Sequence, residues 1–275
     1  MTQPLTGEPM TRPRLAADLT RLGVDAGDIV LVHSSLKSLG WVCGGAVAAV
    51  QALLDALGPD GTLVVPAHSG ENSDPKLWRN PPVPESWWPA IREHMPPFDP
   101  AVTRTYALGV IPETVRTWPG AVRSEHPLTS FAALGPAAAE LMAGHRLESQ
   151  LGEDSPLAAL ERAGAKVLLL GVGFDSCTTF HLAEYRVPHP RFAEFGSAIR
   201  TPRGREWVTF TDVDVDSDDF EALGAAYERA ETVVTGQVGE ARCRLFGVRP
   251  AVEFAVGWLA ANRSGAQRSS VPLGG

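Results

Sequence analysis

The apolar residues of this chain fall into two kinds of run, and the two kinds alternate. Residues 28–33 (DIVLVH), 61–67 (GTLVVPA) and 166–173 (KVLLLGVG) are short and nearly continuous, as strands buried on both faces require. Residues 13–22 and 46–57 are longer and have helical spacing; Pro13 suits a first turn, and Gly23 and Gly58 suit ends. Helices are also expected over 109–117, 136–143, 155–163, 218–230 and 250–263, with shorter strands at 207–213 and 243–248. In the helix over 155–163, Ser155 is a good N-cap and Pro156 a good first residue. Strands alternating with helices predict an α/β fold: a central, mostly parallel sheet between two helical layers.

One stretch breaks the pattern. From His68 to about Thr105 the chain is rich in Pro, Trp and Asn. Trp78, Trp87 and Trp88 argue for order, since disordered segments rarely carry so much aromatic area. Two readings stand: an ordered excursion beside a site, or tryptophans that cap the core. No internal repeat or linker divides the chain. We expect a flexible N-terminus over 1–12, one domain over 13–262 and a disordered tail over 263–275.

Composition narrows the function classes. A net charge of −8 argues against nucleic acid as a partner and suits a cationic small molecule. No apolar run is long enough to span a bilayer, and the first 15 residues lack a signal core, so a cytoplasmic location is expected. The three cysteines, Cys43, Cys177 and Cys243, are far apart and form no C-x-x-C pair, so no structural zinc site is expected.

Candidate chemistry concentrates at strand ends, where ligands bind in open parallel sheets. After KVLLLGVG comes DSCTTFHLAEYR, in which Thr178 or Thr179 is placed to cap a helix. His181 then falls in the first turn, where the helix dipole favours a neutral ring, and Glu184 lies three residues on, on the same face. Base and carboxylate would face one pocket; the same spacing also fits an ordinary surface pair. A three-ligand metal site including His189 is a weaker reading, because no H-E-x-x-H motif is present. Cys177 sits just before the helix, where the dipole could lower its thiol pKa, but it is taken as incidental to the chemistry. His33-Ser34-Ser35-Leu36 follows another strand, and Arg123-Ser124-Glu125-His126 offers phosphate-binding groups or merely a solvated loop.

Four segments, LVHSSLKSLG, TWPGAVRSEHPLTSFAALG, GEDSPLAAL and VLLLGVGFDSCTTFHLAEYR, occur in this order between residues 13 and 260. Together they resemble the aminoglycoside 3-N-acetyltransferase family, which is distinct from the GCN5-type acetyltransferases. The resemblance implies acetyl transfer from acetyl-CoA, with no metal, to the 3-amine of a 2-deoxystreptamine ring, and hence antibiotic resistance. It implies His181 as general base with Glu184. It implies CoA contacts from His33, Ser34, Ser35, Leu36, Arg123, His126, Ser130 and Ser155. Asp74, Glu184, Asp218 and Asp219 would face the amines of the drug. A monomer or homodimer is expected. Acylation of another amine metabolite, or mere binding of CoA or drug, remain the alternatives to be separated.

Overall fold

The computed structural model describes residues 8–79 and 81–263. The expected tail over 263–275 lies outside them except for Arg263, which is helical, and the first seven residues lie outside them too. The described chain is already fixed ahead of residue 13: the Met10 backbone bonds to Trp41 and Cys43, and its side chain is buried.

Helices α1 (Arg12–Leu22) and α2 (Gly45–Leu57) flank strand β1 (Ile29–Ser34), and strand β2 (Thr62–Pro66) follows. The excursion contains α3 (Trp88–His94). Next come α4 (Val110–Arg116), β3 (Val122–Arg123), β4 (Phe131–Leu134), α5 (Ala138–Met142), α6 (Pro156–Arg162), β5 (Lys166–Leu170) and α7 (Thr179–Glu184). The chain continues through β6 (Phe192–Thr201), β7 (Gly204–Val213), α8 (Phe220–Ala230), β8 (Val234–Val238), β9 (Ala241–Gly247) and α9 (Val248–Arg263).

Seven strands form one sheet in the order β3-β4-β2-β1-β5-β9-β8. The three central strands pair in parallel, while β4 and β9 run against their neighbours. The sheet is therefore mixed but mostly parallel, with all strands except β4 and β9 pointing one way. Successive side chains of a strand point to opposite faces, and the core follows that rule. Val30 and Val32 pack on one side with α1, α2 and α4. Leu31 packs on the other with α5 to α9. In β5, Leu168 and Leu170 join the first layer, and Val167 and Leu169 the second. Both faces are covered by helices, which is why these strands read as continuous apolar runs.

Three strands were not expected: the two-residue β3, and β6 and β8. β6 is half of a hairpin with β7, closed by Pro202 and Arg203, with Gly204 at φ 110°. Its middle, Gly196-Ser197-Ala198, is small and buried, so alternation is lost there. β8 is an edge strand with mostly exposed residues.

The excursion packs on this hairpin. Ser73 bridges to Ser197, Phe98 N donates to Ala198 O at 2.8 Å, and Arg205 Nε donates to Met95 O at 2.7 Å. Its tryptophans do not cap the core: Trp87 is exposed, and Trp78 and Trp88 are half-buried. Among the described residues, no helix is long and apolar enough to cross a membrane.

Candidate active site

Parallel pairing brings the carboxyl ends of β1, β2 and β5 to one edge of the sheet. The register sets Ser34 beside Leu170, and Ser35 N donates to Leu170 O at 3.0 Å. The turn after β5 needs glycine. Gly171 has φ 71°, and a Cβ there would meet Ser38 Cβ at 2.5 Å. Ser38 Oγ donates to Gly171 O at 3.0 Å, which holds the H-S-S-L loop against the approach to α7.

His181 and Glu184 are brought together. The His181 ring lies against Phe220, with centroids 4.7 Å apart, and its Nδ1 is 2.5 Å from Glu184 Oε2. A carboxylate can only accept, so Nδ1 carries a proton, and it is Nε2 that bears the lone pair in the neutral form of the ring. Glu184 is buried; its other oxygen accepts from Asp216 N at 2.9 Å and from Arg263. The expected helix dipole is not the cause of this arrangement. α7 has six residues and His181 is the third, so first and last turns coincide. Nor do the threonines cap α7 through their side chains. Thr178 Oγ1 lies 3.1 Å from His33 Nε2 instead, and Thr179 is fully buried.

A residue not singled out as a site candidate joins this edge. His68, just past β2, has a buried Nε2 with no partner among the described residues. Burial, then the neighbouring His181, push His33 and His68 down to about 3, so both rings are neutral at pH 7. The only sequence signal for His68 is its position directly after a strand end. Cys177 is not activated: it is fully buried, and burial pushes its thiol up to about 12.

His33, Ser34, Ser35 and Leu36 line a cleft of about 470 Å³ with Lys37, Gly109, Val110, Val172 and Ser176. The other residues expected to contact CoA are engaged elsewhere. Arg123 is buried against Phe98, and its guanidinium donates to Ala67 O at 2.6 Å, Pro100 O at 3.3 Å, Ser130 Oγ at 2.9 Å and Thr103 O. Burial lowers its pKa only to about 10, so it stays charged while tying the excursion to β2. His126 is fully buried: its Nδ1 accepts from the Leu128 and Thr129 N–H groups, and its Nε2 lies 3.2 Å from Leu147 O. Ser130 Oγ donates to Ala67 O at 2.8 Å. Ser155 caps α6 through Leu157 N and donates to Gly152 O at 2.6 Å. A sequence cannot distinguish a surface arginine from a buried one whose partners are distant carbonyls. Arg123→Ala is therefore expected to destabilise the fold by about 3–5 kcal/mol, the cost of orphaning buried polar groups. A thermal melt measures this; an unchanged Tm with weakened CoA binding would return Arg123 to the cofactor side.

The acidic set is also largely satisfied from within. Asp74 is buried and takes both Nε and Nη2 of Arg92, at 3.0 and 2.8 Å. Asp219 pairs with Arg263, as does Glu184. Asp218 lines a small cavity with Asp214, Asp216 and Arg191. Of the four carboxylates, only Asp218 has no direct cationic partner among the described residues.

The model of the aminoglycoside 3-N-acetyltransferase family matches residues 31–260. The chain is 45% identical over 257 residues to the prophage-derived aminoglycoside N(3')-acetyltransferase-like protein YokD of Bacillus subtilis, covering 93% of this chain and 94% of that one. It is 38% identical over 277 residues to aminoglycoside N(3)-acetyltransferase IX of Micromonospora chalcea, covering 93% and 95%. The crystal structure of YokD superimposes with a TM-score of 0.93 over 95% of this chain and 97% of that one. The enzyme AAC-IIIb, solved with CoASH, is 34% identical with a TM-score of 0.83, covering 92% and 97%. AAC-VIa, solved with sisomicin, is 32% identical with a TM-score of 0.84, covering 92% and 98%. By sequence and by fold, this chain belongs to the aminoglycoside 3-N-acetyltransferase family, a family of acyltransferases.

Proposed function

We propose that the protein transfers acetyl from acetyl-CoA directly to the 3-amine of the 2-deoxystreptamine ring of aminoglycosides, with His181 as general base. Residues 13–262 act as one α/β unit in this reading. The observation that carries it is the His181–Glu184 contact of 2.5 Å at the edge where three parallel strands end. The relatives solved with CoASH and with sisomicin supply the two substrate classes.

An ammonium group cannot attack a thioester. The acceptor first loses one proton to solvent. As its nitrogen lone pair adds to the thioester carbon, His181 Nε2 takes the second proton. The C–N bond forms, the C–S bond breaks, and the imidazolium returns the proton to the departing thiolate. Glu184 opposes the positive charge that His181 carries in between. No acyl-enzyme is needed, and the fully buried Cys177 takes no part. CoA lies along the cleft formed by His33 to Leu36, where the exposed Lys37 offers its phosphates a cation that was not expected from the sequence.

A panel of aminoglycosides with acetyl-CoA tests this reading. Thiol release is expected, with NMR locating the new acetyl group on the 3-nitrogen. Turnover on a different nitrogen, or none across the panel, overturns it.

A further inference from the structure

The C-terminal end of α9 reaches the dyad. Arg263 is its last residue, yet the Arg263 side chain is only 31% exposed. Nη1 donates to Glu184 Oε1. Nε donates to Asp219 Oδ2 at 2.8 Å, and Nη2 to Asp219 Oδ1 and to Asp216 O at 2.7 Å. Asp216 N donates in turn to Glu184 Oε1 at 2.9 Å. The peptide of Asp216 is thus held on both sides, its N–H by Glu184 and its C=O by Arg263.

We propose that Arg263 is a positioning residue for catalysis: it clamps Glu184 against the 216–219 loop so that the carboxylate fixes His181. The inference rests on His181 being the base. Glu184 has two oxygens with separate tasks. Oε2 faces His181 Nδ1 at 2.5 Å, and Oε1 is tied by Arg263 and the Asp216 N–H. With Oε1 fixed, the carboxylate cannot rotate about its last bond, so Oε2 holds the imidazole in one tautomer and one plane. Without Arg263, Oε1 keeps one donor, and Glu184 and Asp219 become like charges around a shared vacancy. Repulsion then turns Glu184 away, and the His181 ring loses its anchor. A guanidinium suits the task because its planar fork serves two carboxylates and a carbonyl at once.

The test is Arg263→Ala and Arg263→Lys in the full chain, with Asp219→Asn as a third variant that leaves Arg263 in place. Three readouts are taken: kcat and KM for acetyl-CoA, Tm, and the NMR signal of the His181 Nδ1 proton. Misplacing a catalytic group costs up to about 100-fold, so Arg263→Ala should lose about 10–100-fold in kcat with KM for acetyl-CoA unchanged. Its Nδ1 proton signal should broaden away. Arg263→Lys restores one charge but not the fork, and should recover part of both. Asp219→Asn should show the same loss in weaker form. The NMR readout does not depend on the acceptor: loss of the signal in a protein that acetylates no aminoglycoside would retain the clamp and reject the proposed reaction. A folded Arg263→Ala that keeps the Nδ1 signal and wild-type kcat overturns the inference. So does a uniform fall in Tm in all three variants with the signal and kcat intact below the melt.

Discussion

His181→Ala is expected to lower kcat by about 10²–10⁴-fold, the usual worth of general-base help, with little change in affinity for CoA. The side chain is only 13% exposed and its ring packs on Phe220, so a Tm on the same preparation establishes that the variant is folded before its kinetics are read. Among the described residues the ring's one polar anchor is Glu184, held at 2.5 Å. CoA is proposed to lie along the loop from His33 to Leu36, on a different strand end, so its binding should survive. Glu184→Gln should fall between the two enzymes: the amide can still meet Nδ1, but it cannot oppose the imidazolium. Steady-state kinetics with an accepted aminoglycoside, together with CoA calorimetry on the same preparations, measures both quantities. A folded His181→Ala protein with near-normal kcat removes His181 from the chemistry.

The second large effect is on stability in mild acid. Four histidines are held as neutral rings: His33 and His126 are buried, and His68 and His145 are half-buried. Burial holds His33 and His68 at about 3 and His145 at about 4, and pushes His126 well below its ordinary value. His126 and His145 lie against each other with centroids 4.7 Å apart, so neither can take a proton without facing the other. In the unfolded chain all four take up protons below about pH 6.5. A depressed folded-state value means that this stability is complete above pH 6.5 and is lost as the pH falls towards 4. Each ring contributes up to about 1.4 kcal/mol per pH unit, and the four together about 5 kcal/mol per unit. A domain of ordinary stability, about 5–15 kcal/mol, should therefore unfold between roughly pH 4 and 5.5. Urea midpoints measured from pH 7 to 4.5 read this out. His145→Gln should reduce the slope by about a quarter, and a midpoint unchanged from pH 7 to 5 would refute the account.

What the sequence revealed divides along physical lines. The three central strands were legible because burial on both faces demands continuous apolar runs, and β1, β2 and β5 have them. His181 and Glu184 were legible because i,i+3 spacing on a helix is a local fact. β6 was missed because Gly196, Ser197 and Ala198 are small where the excursion presses on the hairpin, a contact between distant segments. The R-S-x-H-P-x-x-S segment was misread for the same reason. Its polar residues look like ligands for an anion, yet Arg123 donates to carbonyls of residues 67, 100 and 103, while His126 accepts from the N–H groups of residues 128 and 129 and faces the carbonyl of 147. The cationic partners of Asp74 and Asp219, Arg92 and Arg263, were hidden likewise, so an acidic cleft was expected where ion pairs stand.

The central pairing of β1 with β5 also sets a schedule for synthesis. Val30 pairs with Lys166, and β5 is completed on its other side by β9, which precedes the last helix. A nascent chain that has emerged as far as β2 has one parallel pair and little to close it. The remaining long-range contacts arrive late, and such topologies fold slowly. At the usual pace of translation, the interval between β5 and the end of β9 is on the order of ten seconds. Throughout it, the apolar edge of β5 is uncovered. Chaperone dependence should be greatest in that interval, and inclusion bodies should recede when expression is slowed by cold.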